Sequence, residues 1–235
     1  MSSHFDLRER VLEANLGIVR AGLVVLTFGN ASGVDRSAGV MAIKPSGVDY
    51  DALTPESMVL IDIQSGRVVD GPYRPSSDTA THLVLYRHFA AIGGIVHTHS
   101  TFATSWAQAR RAIPCFGTTH ADHFHGPVPV TRPLSADEIQ RDYEQRTGEV
   151  IAETFGRLGL DPLAMPAVLV ASHGPFAWGQ DTAQAAENAI ALEAVATMAA
   201  HTLLLDPNST AIARDLLDRH FQRKHGTNAY YGQMK

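Results

Sequence analysis

Short β-prone runs alternate with runs of helical periodicity along this chain, and this alternation constrains the fold more than any other feature of the sequence. Leu7, Val11 and Ile18 recur roughly at helical spacing, which predicts a first helix over about residues 6–21. Between residues 22 and 70, Gly, Asp and Ser separate short aliphatic runs, as they do in antiparallel hairpins. The strands predicted in this region are 23–27, 40–43, 58–63 and 68–69.

The rest of the chain predicts helices between a few buried strands. Ser135 and Glu138 have the spacing of a capping box, and Asp181 and Gln184 are similarly spaced before an Ala-rich run. The predicted elements are strands at 93–99 and 167–171 and helices at 83–89, 101–109, 135–158, 181–205 and from 208 to about 226. No Pro-, Gly- or Ser-rich linker divides the chain. We therefore expect one domain over residues 1–235, an α/β fold with a mainly antiparallel sheet covered by helices.

Composition limits the classes of protein to which the chain can belong. Hydrophobic residues make up 45% of the 235 residues, which suffices for a sizeable core, and the net charge of −5 leaves no basic excess for a nucleic-acid partner. Cys115 is the single cysteine, which excludes an internal disulfide and fits a cytoplasmic location. The first ten residues hold no apolar signal core. The apolar stretch 189–205 carries Glu193 and His201, so we expect a buried helix and no membrane span.

Histidine is frequent for a mildly acidic chain, with 12 residues, and three of them form a candidate metal site. His97 and His99 lie on one predicted strand, where residues two apart project to the same face and can reach one ion. His173 directly follows the predicted strand 167–171, and Asp78 near a helix start offers a carboxylate. Three imidazoles and one carboxylate suit a zinc-type site. The alternative is that the histidines are ordinary polar residues at strand ends and Asp78 is only a helix N-cap.

Three short polar segments have the composition of anion-binding loops. Their candidate residues are Gly29, Asn30, Lys44, Ser46, Gly47, Ser76 and Ser77. The segment 44–47 offers an amine, a hydroxyl and a flexible backbone, and the paired serines precede a predicted helix, whose free N–H groups and dipole attract anions. Each segment alone is more often an ordinary turn or cap. Neither a Walker loop nor a Rossmann fingerprint occurs, so no nucleotide cofactor is implied.

Taken together and in this order, the segments resemble the class II aldolase and epimerase superfamily. The segments that carry the resemblance are 26–32, 43–48, 75–79, 94–100, 117–122, 172–174 and 224–232. The resemblance extends over about residues 8–233 and is greatest to the members that epimerise phosphorylated pentuloses at C4. It implies a three-layer fold with helices on both sides of the sheet, and a homotetramer whose active sites are shared between subunits.

The resemblance also implies a role for each motif residue. The implied metal residues, for one divalent ion per subunit and zinc in the best-known members, are His97, His99 and His173, with Asp78 beside the ion or ligating it. The seven residues of the anion-binding segments would hold the substrate, chiefly its phosphate. Asp122 and Tyr231 would act as acid and base and would enter the site from a neighbouring subunit.

The activity implied is the interconversion of L-ribulose 5-phosphate and D-xylulose 5-phosphate by retro-aldol cleavage and re-addition at C3–C4. The implied pathway is the use of L-arabinose, or a related route for L-ascorbate or L-xylulose. Superfamily members that release a free aldehyde carry Glu after the paired serines, where this chain has the shorter Asp78. An aldolase is therefore the alternative to an epimerase. A third interpretation, a metal-dependent adaptor domain without activity, is disfavoured by the paired serines, Lys44 and the match at Asp122 and Tyr231.

Overall fold

The computed structural model describes residues 4–227 together with 229 and 230. The strands in this part of the chain are β1 Asn30–Asp35, β2 Val40–Ile43, β3 Val59–Asp62, β4 Val68–Asp70, β5 Gly94–His97, β6 Ala167–Leu169 and β7 Pro175–Gly179. They form one antiparallel sheet in the order β4-β3-β2-β1-β5-β7-β6. The strands predicted at 40–43, 58–63 and 68–69 correspond to β2, β3 and β4, whereas β1 was not predicted. β5 pairs with β1 on one side and with β7 of the second half on the other.

Helices cover this sheet. They are α1 Phe5–Arg20, α2 Thr79–His88, α3 Thr101–Gln108, α4 Thr118–Ala121, α5 Ala136–Gln140, α6 Tyr143–Leu158, α7 Thr182–Leu205 and α8 Arg214–His225. Both predicted caps are present: Ser135 accepts a hydrogen bond from the backbone of Glu138, and Asp181 accepts one from Gln184 at 2.8 Å. These bonds satisfy N–H groups that the first turn of a helix leaves without partners.

Each face of the sheet packs against a different pair of helices. On one face, a Cβ added to Gly33 of β1 would lie 2.9 Å from Val11 of α1 and 2.6 Å from Thr182 of α7, so only glycine permits this close approach. On the other face, Trp178 of β7 packs against Phe89 and Phe155, whose ring centroids lie 5.4 and 5.2 Å away, beside α2 and α6. The expected three-layer α/β arrangement, with helices on both sides of the sheet, is confirmed.

The strand predicted at 23–27 is wrong. The backbone of Phe28 donates to the carbonyl of Val25 at 3.1 Å, and Leu26 has a left-handed φ of 54° with 78% of its surface exposed. The segment is thus a tight turn with exposed apolar side chains. β-branched composition alone does not make a strand when the backbone has no neighbouring strand to pair with. Pairing with β5 begins only at Asn30, which lies opposite His97.

Three further differences concern the second half of the chain. The helix predicted over 135–158 is two helices, because Asp142 has a left-handed φ of 53° that separates α5 from α6. The last helix begins at Arg214 instead of residue 208. The strand β7 was not predicted, because its sequence begins with Pro and ends with Gly and carries no alternating pattern. Its burial comes from its position between β5 and β6.

Helix α7 is the one helix among the described residues that is long and apolar enough to cross a membrane, by length and composition only. One side of it packs in the core through residues such as Leu192 and Val195, against β5, β7 and α1. The opposite side carries exposed apolar residues, of which Met198 and Leu205 are two. A helix that covers a sheet in this way can be as long and as apolar as a membrane span, so length and hydropathy do not distinguish the two.

Candidate active site

Three histidines from two strand ends converge at one end of the sheet. His97 is the last residue of β5, His99 follows two residues later, and His173 lies in the turn between β6 and β7. Their ligand atoms all lie within 4.8 Å of one another, and the Nε2 atoms of His97 and His99 are 3.2 Å apart. The expected convergence is therefore present. β5 ends at His97, however, so His99 lies just beyond the strand and not on it.

The chemistry of this donor set fits a divalent metal. Nδ1 of His97 donates to the carbonyl of Pro175 at 2.9 Å, which leaves Nε2 available as a ligand. Burial, followed by the neighbouring imidazoles, lowers the pKa of His173 to about 3 and also lowers the pKa of His99. These two imidazoles are therefore neutral at physiological pH, which is the form that binds metal. His97, His99 and His173 would hold the ion, and three imidazoles with room for an oxygen ligand are typical of zinc-type sites.

The turn that carries His173 depends on close backbone packing. Ser172 has a left-handed φ of 65°, and the backbone of Val170 donates to the carbonyl of Gly174 at 2.9 Å. A Cβ on Gly174 would lie 2.9 Å from the carbonyl oxygen of Thr98, between His97 and His99. The sequence Ser-His-Gly thus brings the third histidine against the backbone of the other two.

Asp78 borders the histidine cluster but is not part of the three-histidine group. It occupies the N-cap position of α2 without making a capping hydrogen bond, because its carboxylate instead accepts a bond from Nδ2 of Asn30 at 2.7 Å. Burial would raise the pKa of Asp78, but His97, His82 and the bond from Asn30 outweigh burial and lower it. Asp78 therefore stays a carboxylate next to the histidines.

A buried polar cluster on α2 lies behind Asp78, and sequence reasoning missed it. The hydroxyl of Ser32 in β1 bonds to Nδ1 of His82 at 2.7 Å and to the hydroxyl of Tyr86 at 2.9 Å. Burial lowers the pKa of His82 to about 3, although Asp78 opposes this shift. His82 therefore contributes a neutral ring to this cluster. The only sequence signal was the i, i+4 spacing of Asp78 and His82 on one helix.

The histidines open into a cleft of about 380 Å³ that also contains the predicted anion-binding residues. All seven of these residues line it, together with Asp78 and the three histidines. Tyr143 and Glu144 line the cleft as well and were not predicted. The hydroxyl of Tyr143 lies 3.4 Å from Nδ1 of His173. Both residues begin α6 directly after the left-handed Asp142, and the sequence pattern places them inside a continuous helix.

Two of the predicted anion-binding segments are hydrogen-bonded to each other. The backbone of Ser76 donates to the carbonyl of Lys44 at 3.0 Å, and the backbone of Ser46 donates to that of Arg74, also at 3.0 Å. An isolated bridge between Pro45 and Pro75 lies between these bonds. The loop after β2 and the start of α2 therefore border the cleft side by side, although about 30 residues separate them in the sequence.

Lys44 is a buried cation at the edge of the cleft. Its Nζ donates to the carbonyls of Val48 and Pro45 at 2.9 and 3.2 Å and lies over the ring of Tyr50. Burial lowers the pKa of Lys44, and Asp49 opposes this effect. Backbone and ring contacts hold the ammonium in place, so Lys44 is a fixed charge and not a flexible, exposed side chain.

Of the two predicted acid–base residues, the structure describes only Asp122. Asp122 follows α4, does not line the cleft, and accepts bonds from Nδ1 of His220 at 3.0 Å and from Nε and a terminal nitrogen of Arg223 at 3.0 and 2.7 Å. Burial raises the pKa of Asp122, but Arg223 and His220 outweigh it and lower the pKa. Tyr231 lies outside the described residues. The catalytic roles of Asp122 and Tyr231 stay predictions.

Comparison with known proteins agrees with the fold. Residues 9–200 match the family described as Class II Aldolase and Adducin N-terminal domain, and the chain belongs to this family. A solved structure described as L-fuculose 1-phosphate aldolase is 25% identical, with a TM-score of 0.79 and coverage of 95% of this chain and 97% of that chain. YgbL of Escherichia coli is 24% identical, with a TM-score of 0.72 and coverage of 92% and 97%. L-fuculose-1-phosphate aldolase of Thermus thermophilus is 20% identical, with a TM-score of 0.67 and coverage of 86% and 97%.

Proposed function

We propose that the chain is a metal-dependent sugar-phosphate enzyme that interconverts L-ribulose 5-phosphate and D-xylulose 5-phosphate. One observation carries the proposal: three converging imidazoles and three anion-binding segments open into one cleft beside Asp78, which is held by Asn30. The resemblance associates a Glu at this position with aldolases and an Asp with epimerases. The shorter carboxylate, already bonded to Asn30, is poorly suited to serve as the proton-transfer base, so another group must carry out that step.

The chemistry of the sugar favours cleavage of a carbon–carbon bond. The C4 hydrogen is not adjacent to the ketone at C2, so it is not acidic, whereas removal of the C4 hydroxyl proton allows the C3–C4 bond to break. A divalent ion, Zn²⁺ in our proposal, acts when bound as a Lewis acid for the negative charge that develops. Ser46, Ser76, Ser77 and Lys44 hold the phosphate while the aldehyde fragment turns its other face. Re-addition then forms the C3–C4 bond again with the opposite configuration at C4.

The proton transfers require groups on both faces of the aldehyde. We propose that Asp122 and Tyr231 of a neighbouring subunit in a homotetramer supply them. Asp122 does not line the cleft of its own chain, so a catalytic role for it requires that it serves the cleft of another chain.

An exposed apolar surface near α4 supports the assembly. Leu204 and Leu205 of α7 are 79% and 89% exposed, and Met198 is 50% exposed. Met198 also borders a mostly apolar groove that Phe116 and Thr119 line at α4. Exposed apolar side chains beside an apolar groove are typical of subunit contacts. The cytoplasmic location and the pathway, L-arabinose use or a related route, are parts of the same proposal.

The second candidate is an aldolase that releases its aldehyde. It is favoured by the 25% identity to the structure described as L-fuculose 1-phosphate aldolase, which spans nearly all of both chains. The two candidates share the metal chemistry and the phosphate pocket. They differ in whether the two fragments recombine before one of them leaves.

Product analysis in heavy water separates the candidates. We would incubate Zn²⁺-loaded protein with L-ribulose 5-phosphate in D₂O and follow the products by NMR, with His97→Asn protein as the blank. An epimerase yields D-xylulose 5-phosphate without deuterium at C4, because the C4–H bond never breaks. An aldolase instead accumulates glycolaldehyde phosphate and dihydroxyacetone. Deuterium at C4 of the epimerised product would contradict the retro-aldol route, and the absence of any turnover would contradict both candidates for this substrate.

A further inference from the structure

Two parts of the proposed phosphate pocket are connected behind the cleft wall by one side chain, Tyr50. This residue begins a short 3₁₀ turn, Tyr50–Ala52, is only 6% exposed, and is not among the residues that line the cleft. Its hydroxyl donates to the carbonyl of Gly29 at 2.8 Å, and its ring centroid lies 4.6 Å from Nζ of Lys44. Tyr50 therefore contacts both a backbone segment and a cation that border the cleft.

The first contact fixes the backbone at Gly29. Burial raises the pKa of Tyr50, so its hydroxyl stays protonated and remains a donor to the Gly29 carbonyl. A trans peptide directs its N–H opposite to its C=O, so this bond also sets the direction of the Asn30 amide. Gly29 has a φ of 113°, and a Cβ there would lie 3.1 Å from the carbonyl oxygen of His97. The glycine itself has no side chain to restrict its backbone, and the bond from Tyr50 supplies a contact that fixes its carbonyl.

The second contact holds the ammonium of Lys44. Two of its three N–H groups are directed to the carbonyls of Pro45 and Val48, and the face of Tyr50 attracts the charge. Without the ring, the buried ammonium would lose one of the contacts that compensate for its removal from water. Tyr50 thus favours the charged form of Lys44 and keeps it at the cleft edge.

We propose that Tyr50 is a positioning residue for phosphate: it holds the backbone carbonyl of Gly29 and the Lys44 ammonium in the geometry that binds a phosphate ester. The inference rests on the proposed function, because it requires that the cleft binds phosphate. Tyr50 also packs in an apolar cluster with Leu53 and Met58. A role in packing alone would change the melting temperature and leave phosphate affinity as it is, so affinity is the measurement that matters.

Two substitutions separate the two contacts. Tyr50→Phe removes the bond to Gly29 and keeps the ring under Lys44, whereas Tyr50→Leu removes both. The matched control is Thr154→Val in α6, which removes another buried hydroxyl-to-carbonyl bond of 2.8 Å away from the cleft. For each protein we would measure the Kd of inorganic phosphate by calorimetry on the Zn²⁺-loaded enzyme, the melting temperature, and KM and kcat for L-ribulose 5-phosphate.

We expect Tyr50→Phe to raise the phosphate Kd and the substrate KM about 3- to 10-fold, as the loss of one hydrogen bond would, with kcat within about 2-fold of wild type. Tyr50→Leu should raise Kd further, while Thr154→Val should lower the melting temperature and leave Kd unchanged. A Tyr50→Phe protein that is destabilised but has wild-type phosphate affinity would overturn the positioning role, and this variant decides the matter even if Tyr50→Leu does not fold. If wild-type protein binds no phosphate, the pocket in the proposed function fails, and the role of Tyr50 fails with it.

Discussion

The cleft and the region around Asp122 are built in contrasting ways. The cleft residues come from separate segments of the sequence, yet the sheet and its strand-end turns fix them, and His97 and Lys44 are each only 2% exposed. Asp122 lies between two peripheral elements, α4 and α8, and is held by Arg223 and His220, whose side chains remain partly exposed. The candidate metal ligands and the proposed phosphate-binding residues are thus fixed by the backbone of one chain. Asp122, one of the two proposed acid–base residues, lies in the part of the molecule that we propose meets another subunit.

The largest expected effect comes from removing one of the three histidines in the cleft. His97→Asn should remove nearly all bound metal and lower turnover at least about 1000-fold, because one of three converging ligands and the charge stabilisation that depends on it are lost. Metal content is measured by elemental analysis after gentle purification, and turnover by product formation. His88→Asn, at the exposed end of α2, is the control and should retain metal and activity. Full activity in metal-free protein would contradict the metal site.

The next test asks whether the two regions of a working site belong to different chains. His97→Asn and Tyr231→Phe, each inactive alone, would be co-refolded in equal amounts. In a cyclic tetramer with random mixing, each site has about a one-half chance of intact histidines and, independently, about a one-half chance of an intact tyrosine from its neighbour. About a quarter of wild-type activity should therefore return.

The control for this test is proof that the subunits have mixed, for example by native mass spectrometry of differently tagged chains. If each site were built within one chain, a mixed tetramer would contain no intact site. Activity that stays at the level of the separate mutants, despite proven mixing, would show that histidines and Tyr231 come from the same chain.

The same contrast explains what the sequence could predict. The histidines and the three polar segments of the cleft were predictable because each carries a short-range signal, such as the His97–His99 spacing or the serines before α2. Parts of the fold that carry local signals were also predictable, such as the starts of α5 and α7 from the caps at Ser135 and Asp181.

The elements that were missed depend on contacts that are remote in sequence. Leu26 and Asp142 adopt left-handed backbones that the sequence did not predict. Tyr143 reaches the cleft only because Asp142 separates α5 from α6. The strand β7 is recognisable only from its neighbours in the sheet. The bonds from Arg223 and His220 to Asp122 join residues about 100 positions apart, so no sequence window contains them.

A smaller effect is expected from removing the cleft's fixed cation. Lys44→Met keeps most of the buried aliphatic stem and should raise KM for the phosphorylated sugar by about 10-fold or more, with a smaller fall in kcat, because a charge-assisted bond to phosphate is made in both ground and transition states. Arg157→Met, which removes an exposed cation on α6, controls for the change in net charge. An unchanged KM in Lys44→Met would assign Lys44 to holding the 45–48 turn and not to phosphate recognition.

The smallest effect concerns the stability of the Asp122 region and its dependence on pH. The folded-state pKa of Asp122 lies below its ordinary value of 3.8, so its ion pair stabilises the fold at pH values above about 4, and this contribution is lost as the pH falls through the lowered pKa. Asp122→Asn should therefore melt about 1–3 °C below wild type at pH 7, as expected for a partly exposed ion pair. The difference should shrink towards pH 3. Asp215→Asn, which removes an exposed carboxylate on α8, should show a smaller difference at pH 7. A melting difference for Asp122→Asn that is the same at both pH values would mean that the region is held by packing and not by the bonds from Arg223 and His220.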